Sequence, residues 1–429
     1  MAREMKDSGI EWIGDIPLQW STDRLQWHLE EINVSNNPVQ TEEILSLTIE
    51  AGVIPYSEKG NQGNKAKEDC SQYKIAYPDT LVVNSMNVII GAVGISKYHG
   101  CVSPVYYVFK ATENTDLRYI YYLFTNIGFQ KEMRKHAKGI MEIRLRISSS
   151  DMLRLFVPNP TLEEQKRIAD FLDGECTRID TVIEQTRSSI KAYRRLKQAI
   201  ITDAVTKGIR SGRKMKSVDT MVSDIIPDEW NYSPIKYVAI FQPSCDTSAL
   251  DEDSEITYTP MECIKNGYYI QNTAKYGTVA SSLTPYEEGD IVMAKVTPCF
   301  ENGNISIMEN LTSGFGMGSS ELFVYRATGV NKRFLLYWLQ NDKFKEEACA
   351  TMTGTGGLKR VSPYYAKNAT IFLPSEDEQK EIVVFLDNKC EEVERLIAAK
   401  EQLLAELESY RKSVIYEYVT GKKEVPACQ

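Results

Sequence analysis

Two stretches of the chain place apolar and small polar residues at alternating steps of three and four. The first runs Ile179, Val182, Thr186, Ser189, Tyr193, Leu196, Ile200; the second runs Val393, Leu396, Lys400, Leu403, Leu407, Tyr410, Val414. Such spacing puts each set along one seam of a helix, as the a and d positions of a heptad do. Ile183 and Ile190 in the first, with Ile397, Leu404 and Ile415 in the second, widen the stripe. A face that broad wants more than one neighbour. Both helices open on one device: Pro160-Thr161-Leu162-Glu163-Glu164 and Pro374-Ser375-Glu376-Asp377-Glu378 set Thr or Ser at the N-cap and Glu three residues on. This is the capping-box pattern, in which the two side chains satisfy each other's backbone N–H groups. Gly208 and Gly421 supply the stops. About 40 residues at roughly 1.5 Å each make a rod near 60 Å, long for a compact domain.

Ahead of each helix the pattern changes to short runs of Val, Ile, Tyr and Thr broken by Gly, Asn and Pro, as in YPDTLVVNSMNVIIGAVG and GDIVMAKVTPCFENGNISIM. These predict a mixed sheet domain of about 150 residues before each helix.

The resemblance between the halves extends to individual residues. Met5, Lys6, Ile16, Pro17 and Trp20 recur 210 positions later as Met215, Lys216, Ile226, Pro227 and Trp230. Glu164-Gln165-Lys166, Phe171-Leu172-Asp173 and Val205-Thr206 recur 214 positions later, from Glu378, Phe385 and Val419 onward. Between these ends, residues 79–83, 108–112 and 146–148 have counterparts at 289–293, 324–328 and 360–362, whereas 21–76 and 231–285 share little. A common frame carries two different interiors.

Composition fits an ordinary soluble globular chain of several domains: 429 residues, 42% hydrophobic and 25% charged. No run approaches the roughly 18 apolar residues of a membrane span, and the N-terminus lacks a signal-peptide core, so a cytoplasmic protein without membrane contact is expected. Nine cysteines without a C-x-x-C pair read as reduced thiols. The net charge of −9 argues against a polyanionic partner until it is mapped. Residues 377–419 hold eleven acids against six bases, so about half of the acidic excess lies on the second helix, and DNA remains an allowed partner. Arg187, Lys191, Arg194, Arg195 and Lys197 form a basic stretch, and Asp387, Glu391, Glu392 and Glu394 an acidic one. An antiparallel pairing of the helices would bring them together.

The doubled I-P-x-x-W, the doubled P-x-x-x-E-Q-K ahead of a long helix and the opening DSGIEWIGDIPLQW resemble the specificity subunits of Type I restriction-modification enzymes. The resemblance covers nearly the whole chain. It implies an α+β fold with an internal tandem repeat: two mixed α/β target-recognition domains joined by two long helices that pair as an antiparallel coiled coil. The domains would be 1–160 and 223–374, with helical spacer regions at 161–222 and 375–429. The function implied is recognition of double-stranded DNA with a split, asymmetric target. The partners implied are two modification (methyltransferase) subunits and restriction (translocase and nuclease) subunits. The chain itself would bind no cofactor; S-adenosylmethionine, ATP and Mg²⁺ would belong to those partners.

Catalytic motifs are poorly matched. Pro78-Asp79 and Glu164-Gln165-Lys166 are too far apart for a PD…E-x-K nuclease, and Ser362-Pro363-Tyr364-Tyr365 lacks the second Pro of an adenine-methyltransferase loop. No G-x-x-x-x-G-K-[ST] run exists; Gly354-Thr355-Gly356-Gly357 reads as a surface loop. His28, His99 and His136 have no metal-ligand spacing with Cys or acid. A non-catalytic chain with no metal site is expected. A fused restriction-methylation enzyme and a two-module coiled-coil scaffold that ignores DNA are the alternatives.

DNA contacts are expected where a Gly-then-basic segment precedes each helix: Lys138, Arg144, Arg146 and Ser148 in the first copy, Lys359, Arg360 and Ser362 in the second. Arg forks suit guanine or phosphate, and Ser suits phosphate. Lys131, Arg134 and Lys135 lie close by in sequence. Base reading is expected from the divergent interiors, with Asn61, Gln62, Asn64 and Lys65 in one and Gln271, Asn272 and Lys275 in the other. Asn and Gln suit adenine; Lys suits guanine.

Overall fold

A computed structural model of the chain describes residues 3–49, 51–60, 69–139, 145–220, 222–248, 250–279, 282–355 and 357–426. It divides into two compact units, Met1–Arg187 with Gln402–Gln429, and Ser188–Glu401. Both boundaries fall inside the long helices, so each unit holds a sheet domain, the first part of the helix that follows it and the last part of the other helix.

In the first unit an antiparallel sheet runs in the spatial order Leu29–Glu31, Tyr106–Ala111, Thr80–Asn84, Val93–Ser96. Every residue of Thr80–Asn84 is buried, which accounts for its apolar run. The second unit repeats the sheet with Ala239–Phe241, Leu322–Ala327, Ile291–Ala294 and Ile305–Ile307. The registers agree: Leu81 faces Phe109 as Ile291 faces Tyr325. Helices α1 (Leu117–Thr125), α2 (Ile127–His136) and α3 (Ser149–Leu153) come next in the first unit. Asp116 and Asn126 cap α1 and α2 by accepting backbone N–H bonds. Helix α4 spans Leu162–Lys207. In the second unit α5 (Lys332–Gln340), α6 (Asp342–Ala350) and α7 (Pro363–Asn368) take the same places, with Asn331 and Asn341 as caps. Helix α8 spans Glu376–Val419.

The interiors differ in kind. The first unit inserts two two-stranded ribbons, Leu45–Thr48 with Gly52–Pro55 and Lys74–Ala76 with Gly100–Val102. The second inserts one four-stranded sheet, Thr273–Lys275, Glu255–Thr259, Phe315–Gly318, Thr284–Glu287, whose central pair is parallel.

The residues that recur are those that fasten a domain to its helix. Glu164 accepts from Trp20 Nε1 at 2.7 Å and pairs with Arg3, which lies over the Trp20 ring. Glu378 repeats this with Trp230 at 3.0 Å and with Arg213, itself over the Trp230 ring. The expected capping box is therefore half formed. Thr161 and Ser375 do accept the N3 backbone N–H, at 3.3 Å each, but the glutamates turn to buried tryptophans. Gln165 and Gln379 join the helix to the domain by accepting the backbone N–H of the caps Asp116 and Asn331, at 2.9 and 2.8 Å. Asp173 and Asp387 accept from Tyr122 and Tyr337. Gly208 and Gly421 end the helices with φ of 76° and 72°. A Cβ on Gly421 would press on Pro17 and Trp20, and one on Gly208 on Arg213 and Trp230, so these glycines also seat the tryptophans.

Within each unit the helices run antiparallel. In the first, Arg187 pairs with Glu408 and Asp180 with Arg411; in the second, Arg194 pairs with Glu401 and Lys197 with Glu394. The expected direction holds, yet of the acidic stretch Asp387–Glu394 only Glu394 meets the basic one. The apolar seam sets a register that carries Arg187 and Arg194 to Glu408 and Glu401. The expected track holds in part, with Thr186 and Val414 on it buried, and the burial is shared with the residues expected to widen the stripe. Ile179, Ile183, Ile190, Val393 and Ile397 are buried, whereas Val182, Leu196, Leu396, Leu403 and Tyr410 are exposed. Among the described residues no helix is long and apolar enough to cross a membrane.

Candidate nucleic-acid interface

The described ends of the two Gly-then-basic segments pair in the same way in both units. Lys138 and Arg146 exchange two backbone hydrogen bonds at 2.8 and 2.9 Å between α2 and α3. Thr353 and Arg360 do the same at 3.1 and 2.8 Å between α6 and α7. The next residue is a buried anchor whose N–H reaches the end of the central strand: Ile147 to the Ser85 carbonyl, Val361 to that of Lys295. The residue after that caps a helix. Ser148 accepts from Asp151 N–H and donates to the Asp151 carboxylate at 2.7 Å, and Ser362 accepts from Tyr365 N–H. The recurring Arg-Ile-Ser and Arg-Val-Ser thus divide their work: one residue packs, one caps, and the arginine is left on the surface. Ser148, expected on phosphate, has its hydroxyl engaged with Asp151 as acceptor and as donor, whereas Ser362 only accepts in its cap.

The two arginines differ. Arg146 is exposed and makes no ion pair among the described residues. Arg360 is locked to Glu321: Nε donates to Oε2 at 2.8 Å and Nη2 to Oε1 at 2.6 Å. That contact holds the Glu321 carboxyl below its usual range and the Arg360 guanidinium above its own. Lys295 Nζ lies 3.9 Å from Oε2 of Glu321 and donates to the Ser320 carbonyl. Lys359 is exposed, its backbone tied to Thr297 through N–H to Oγ1 and through its carbonyl, both at 2.9 Å. Gly354 has φ of 144°, and a Cβ there would strike the Leu358 carbonyl, so the glycine serves the hairpin's own turn.

The remaining candidates scatter. Arg144 and the set Asn61, Gln62, Asn64 and Lys65 lie outside the described residues. Gln271, Asn272 and Lys275 are exposed at an edge strand, each with a partner: Gln271 donates to the Asn310 carbonyl, Asn272 to Cys263 Sγ, and Lys275 pairs with Asp253. On α2, Lys135 is held by Glu11 and Glu132, and α6 has no matching basic run. Glu321 and Lys295 are not apparent along the sequence because they reach Arg360 only through strand pairing, 39 and 65 positions away. Among the described residues no cluster of His, Cys, Asp and Glu could hold a metal ion.

In each unit a backbone pair between two helices thus sets an exposed arginine next to a buried anchor and a helix cap.

Comparison with known proteins agrees with this architecture. The type I restriction modification DNA specificity domain matches residues 31–192 and again 227–409, and the chain belongs to that family. The specificity subunit of the Escherichia coli type I restriction enzyme EcoAI is 33% identical over 164 residues, which are 37% of this chain and 28% of that one. The chain thus aligns with little more than a quarter of that relative's length. The putative MjaX specificity subunit of Methanocaldococcus jannaschii is 23% identical over 442 residues, 96% of each chain. Among solved structures, a chain from a study of complex assembly and conformational transition of the type I R-M system superposes with a TM-score of 0.70 at 15% identity. It covers 95% of this chain and 99% of that one. The HsdS subunit from Thermoanaerobacter tengcongensis gives 0.50 at 16%, covering 95% and 98%. The fold is shared at that level.

Proposed function

We propose that the chain is the DNA-reading subunit of a Type I restriction-modification complex, binding a bipartite, asymmetric target in double-stranded DNA. The observation that carries this is one frame repeated around two unlike interiors, each frame holding an exposed arginine in a backbone pair. Features common to both copies serve what is common along DNA, the phosphate backbone. Features that differ, the interiors and the surroundings of the two arginines among them, serve two different half-sites. In this reading the chain performs no chemistry: it acts in the cytoplasm and places two methyltransferase subunits, and a translocase and nuclease subunit, on DNA. S-adenosylmethionine, ATP and Mg²⁺ are bound by those partners. Arg146, with Lys138 beside it, contacts phosphate.

The test is selection from random-sequence duplex DNA by the purified chain, alone and with its partner subunits, at moderate salt. Enrichment of two unlike half-sites at a fixed gap is expected. Two identical inverted half-sites would contradict the divergent interiors, methyl transfer by the chain alone would make it an enzyme, and no binding in either form would make it a scaffold. Arg146→Gln should weaken all sequences alike and lower the slope of log K against log salt by about one.

A further inference from the structure

Arg360 and Glu321 form a pair that has no counterpart among the described residues of the first unit. The carbonyl of Glu321 accepts the Lys295 N–H at 3.0 Å, just as the carbonyl of Val105 accepts the Ser85 N–H at 3.4 Å. Val105 and Glu321 each precede the strand residue that opens the central pairing, Tyr106 opposite Asn84 and Leu322 opposite Ala294. The frame therefore puts Arg146 beside valine and Arg360 beside glutamate, at equivalent places.

The pair stands on fixed backbone. Arg360 is bonded to Thr353 on one side, its neighbours Lys359 and Val361 are bonded to Thr297 and Lys295 on the other, and Lys295 is bonded to Glu321. Neither partner sits on a free loop. Glu321 occupies one edge of the guanidinium, Nε with Nη2, and the other edge, Nη1 with the second Nη2 proton, points away from it. That remaining fork has the geometry that matches the O6 and N7 acceptors of guanine in the major groove. A phosphate contact asks little of aim, and a carboxylate beside it only weakens the attraction. A base contact asks for aim above all, because the fork must meet two acceptors at once. An exposed ion pair adds little to stability, so holding the fold together is a weak explanation for this arrangement.

We propose that Arg360 reads a guanine in one half of the target and that Glu321 is the positioning residue that aims it, while Arg146 serves phosphate. This rests on the DNA-reading function above and adds a base identity to it.

Selection from random duplex DNA by the assembled complex, comparing the parent with Arg360→Lys and Glu321→Gln, tests the assignment. Lysine keeps the charge and loses the fork. Arg360→Lys should reduce preference at one guanine position of one half-site by about tenfold or more, leave the other half-site untouched and keep the salt slope. Glu321→Gln should relax the same position to a smaller degree. The remaining positions of the same half-site report that the second unit is folded in each variant, and Arg360→Lys alone suffices if Glu321→Gln fails that check. Three results would overturn the proposal: an unaltered guanine preference in Arg360→Lys, a loss spread equally over all sequences, or relaxation at a position that is not guanine. If the parent enriches no sequence at all, the DNA-reading function fails first and takes this assignment with it.

Discussion

Glu378 shows how much one side chain does at the junction of domain and helix. It is almost wholly buried, and burial pushes its carboxyl up, but the hydrogen bonds from Arg213 and Trp230 and the Arg213 charge pull it further down, to below the usual carboxylate range. A group with a lowered folded-state value contributes stability that is fully present above its unfolded value. That contribution is lost as pH falls through the folded value, because the unfolded chain then binds the proton more readily. The unfolded value is about 4.3, so the loss begins near there and continues toward lower pH. Glu378→Gln removes the titrating group while leaving an acceptor for Trp230. The variant should be less stable at neutral pH by about 1–3 kcal/mol, the cost of weakening a buried charge-assisted bond. The gap from the parent should shrink as pH falls from about 5 to 3. Urea midpoints across that range check it, and a gap that stays constant would mean that the carboxylate charge is not what matters. At this scale the sequence was partly readable. Glu164 and Glu378 stood out because they recur, yet the reason for their recurrence lies in Trp20 and Trp230, remote in sequence. Ser148 and Ser362 both cap helices, a purpose that composition alone does not separate from phosphate binding.

Among elements, the long helices test how far periodicity can be trusted. Their limits were legible, since caps and glycine stops are local chemistry, and so was their direction, since charge survives a small error of register. The seam was legible in part. Val182 and Ile183, or Leu396 and Ile397, are adjacent apolar residues, and either continues a three-four rhythm, so only the neighbour decides which is covered. The structure buries Ile183 at 6% and Ile397 at 4% exposure, against 38% for Val182 and 42% for Leu396. Truncation should separate the two tracks. Ile183→Ala and Ile397→Ala should each cost about 2–4 kcal/mol, the range for large-to-small changes in a packed interior. Val182→Ala and Leu396→Ala should stay within about 0.5 kcal/mol. Denaturant unfolding of the four variants gives the comparison, and equal losses on both tracks would return the seam to its expected position. The sheet domains were legible as frames and not as interiors. The frame repeats within the chain, so each copy interprets the other, whereas residues 21–76 and 231–285 have no counterpart to be read against. Glu321 belongs to the same class of omission: strand pairing, invisible along the chain, is what brings it to Arg360.

At the scale of the whole chain, covalent continuity between the units runs through two places, Arg187–Ser188 in α4 and Glu401–Gln402 in α8. If the gap between half-sites is set by helix and not by the domains, those are the places to lengthen. An insertion near Ala199 and Ile200, toward the end of α4, would fall inside the second unit. There Gln198 bonds the Gln340 carbonyl and Asp342, Thr202 accepts from Asp342 N–H, and Ile201 is buried in the core. Lengthening there would disrupt a domain before it moved one. Lengthening α4 alone would also break the register in which Arg187 meets Glu408 in one unit and Arg194 meets Glu401 in the other. The informative variant therefore inserts four residues at both boundaries together. Each insertion adds about 6 Å of helix and rotates the downstream helix by about 40°, because four residues slightly exceed one turn of 3.6. Along duplex DNA at roughly 3.4 Å per base pair, this is one to two base pairs of extra gap. Some of the shift will be absorbed in repacking, so one added base pair is the expected outcome, with the bases read on either side unaltered. Selection from libraries of variable gap, run on parent and double-insertion variant, measures it. A variant that binds tightly and still prefers the parental gap would show that the helices do not set the spacing. A variant whose half-sites change along with the gap would show that the interiors are not independent readers.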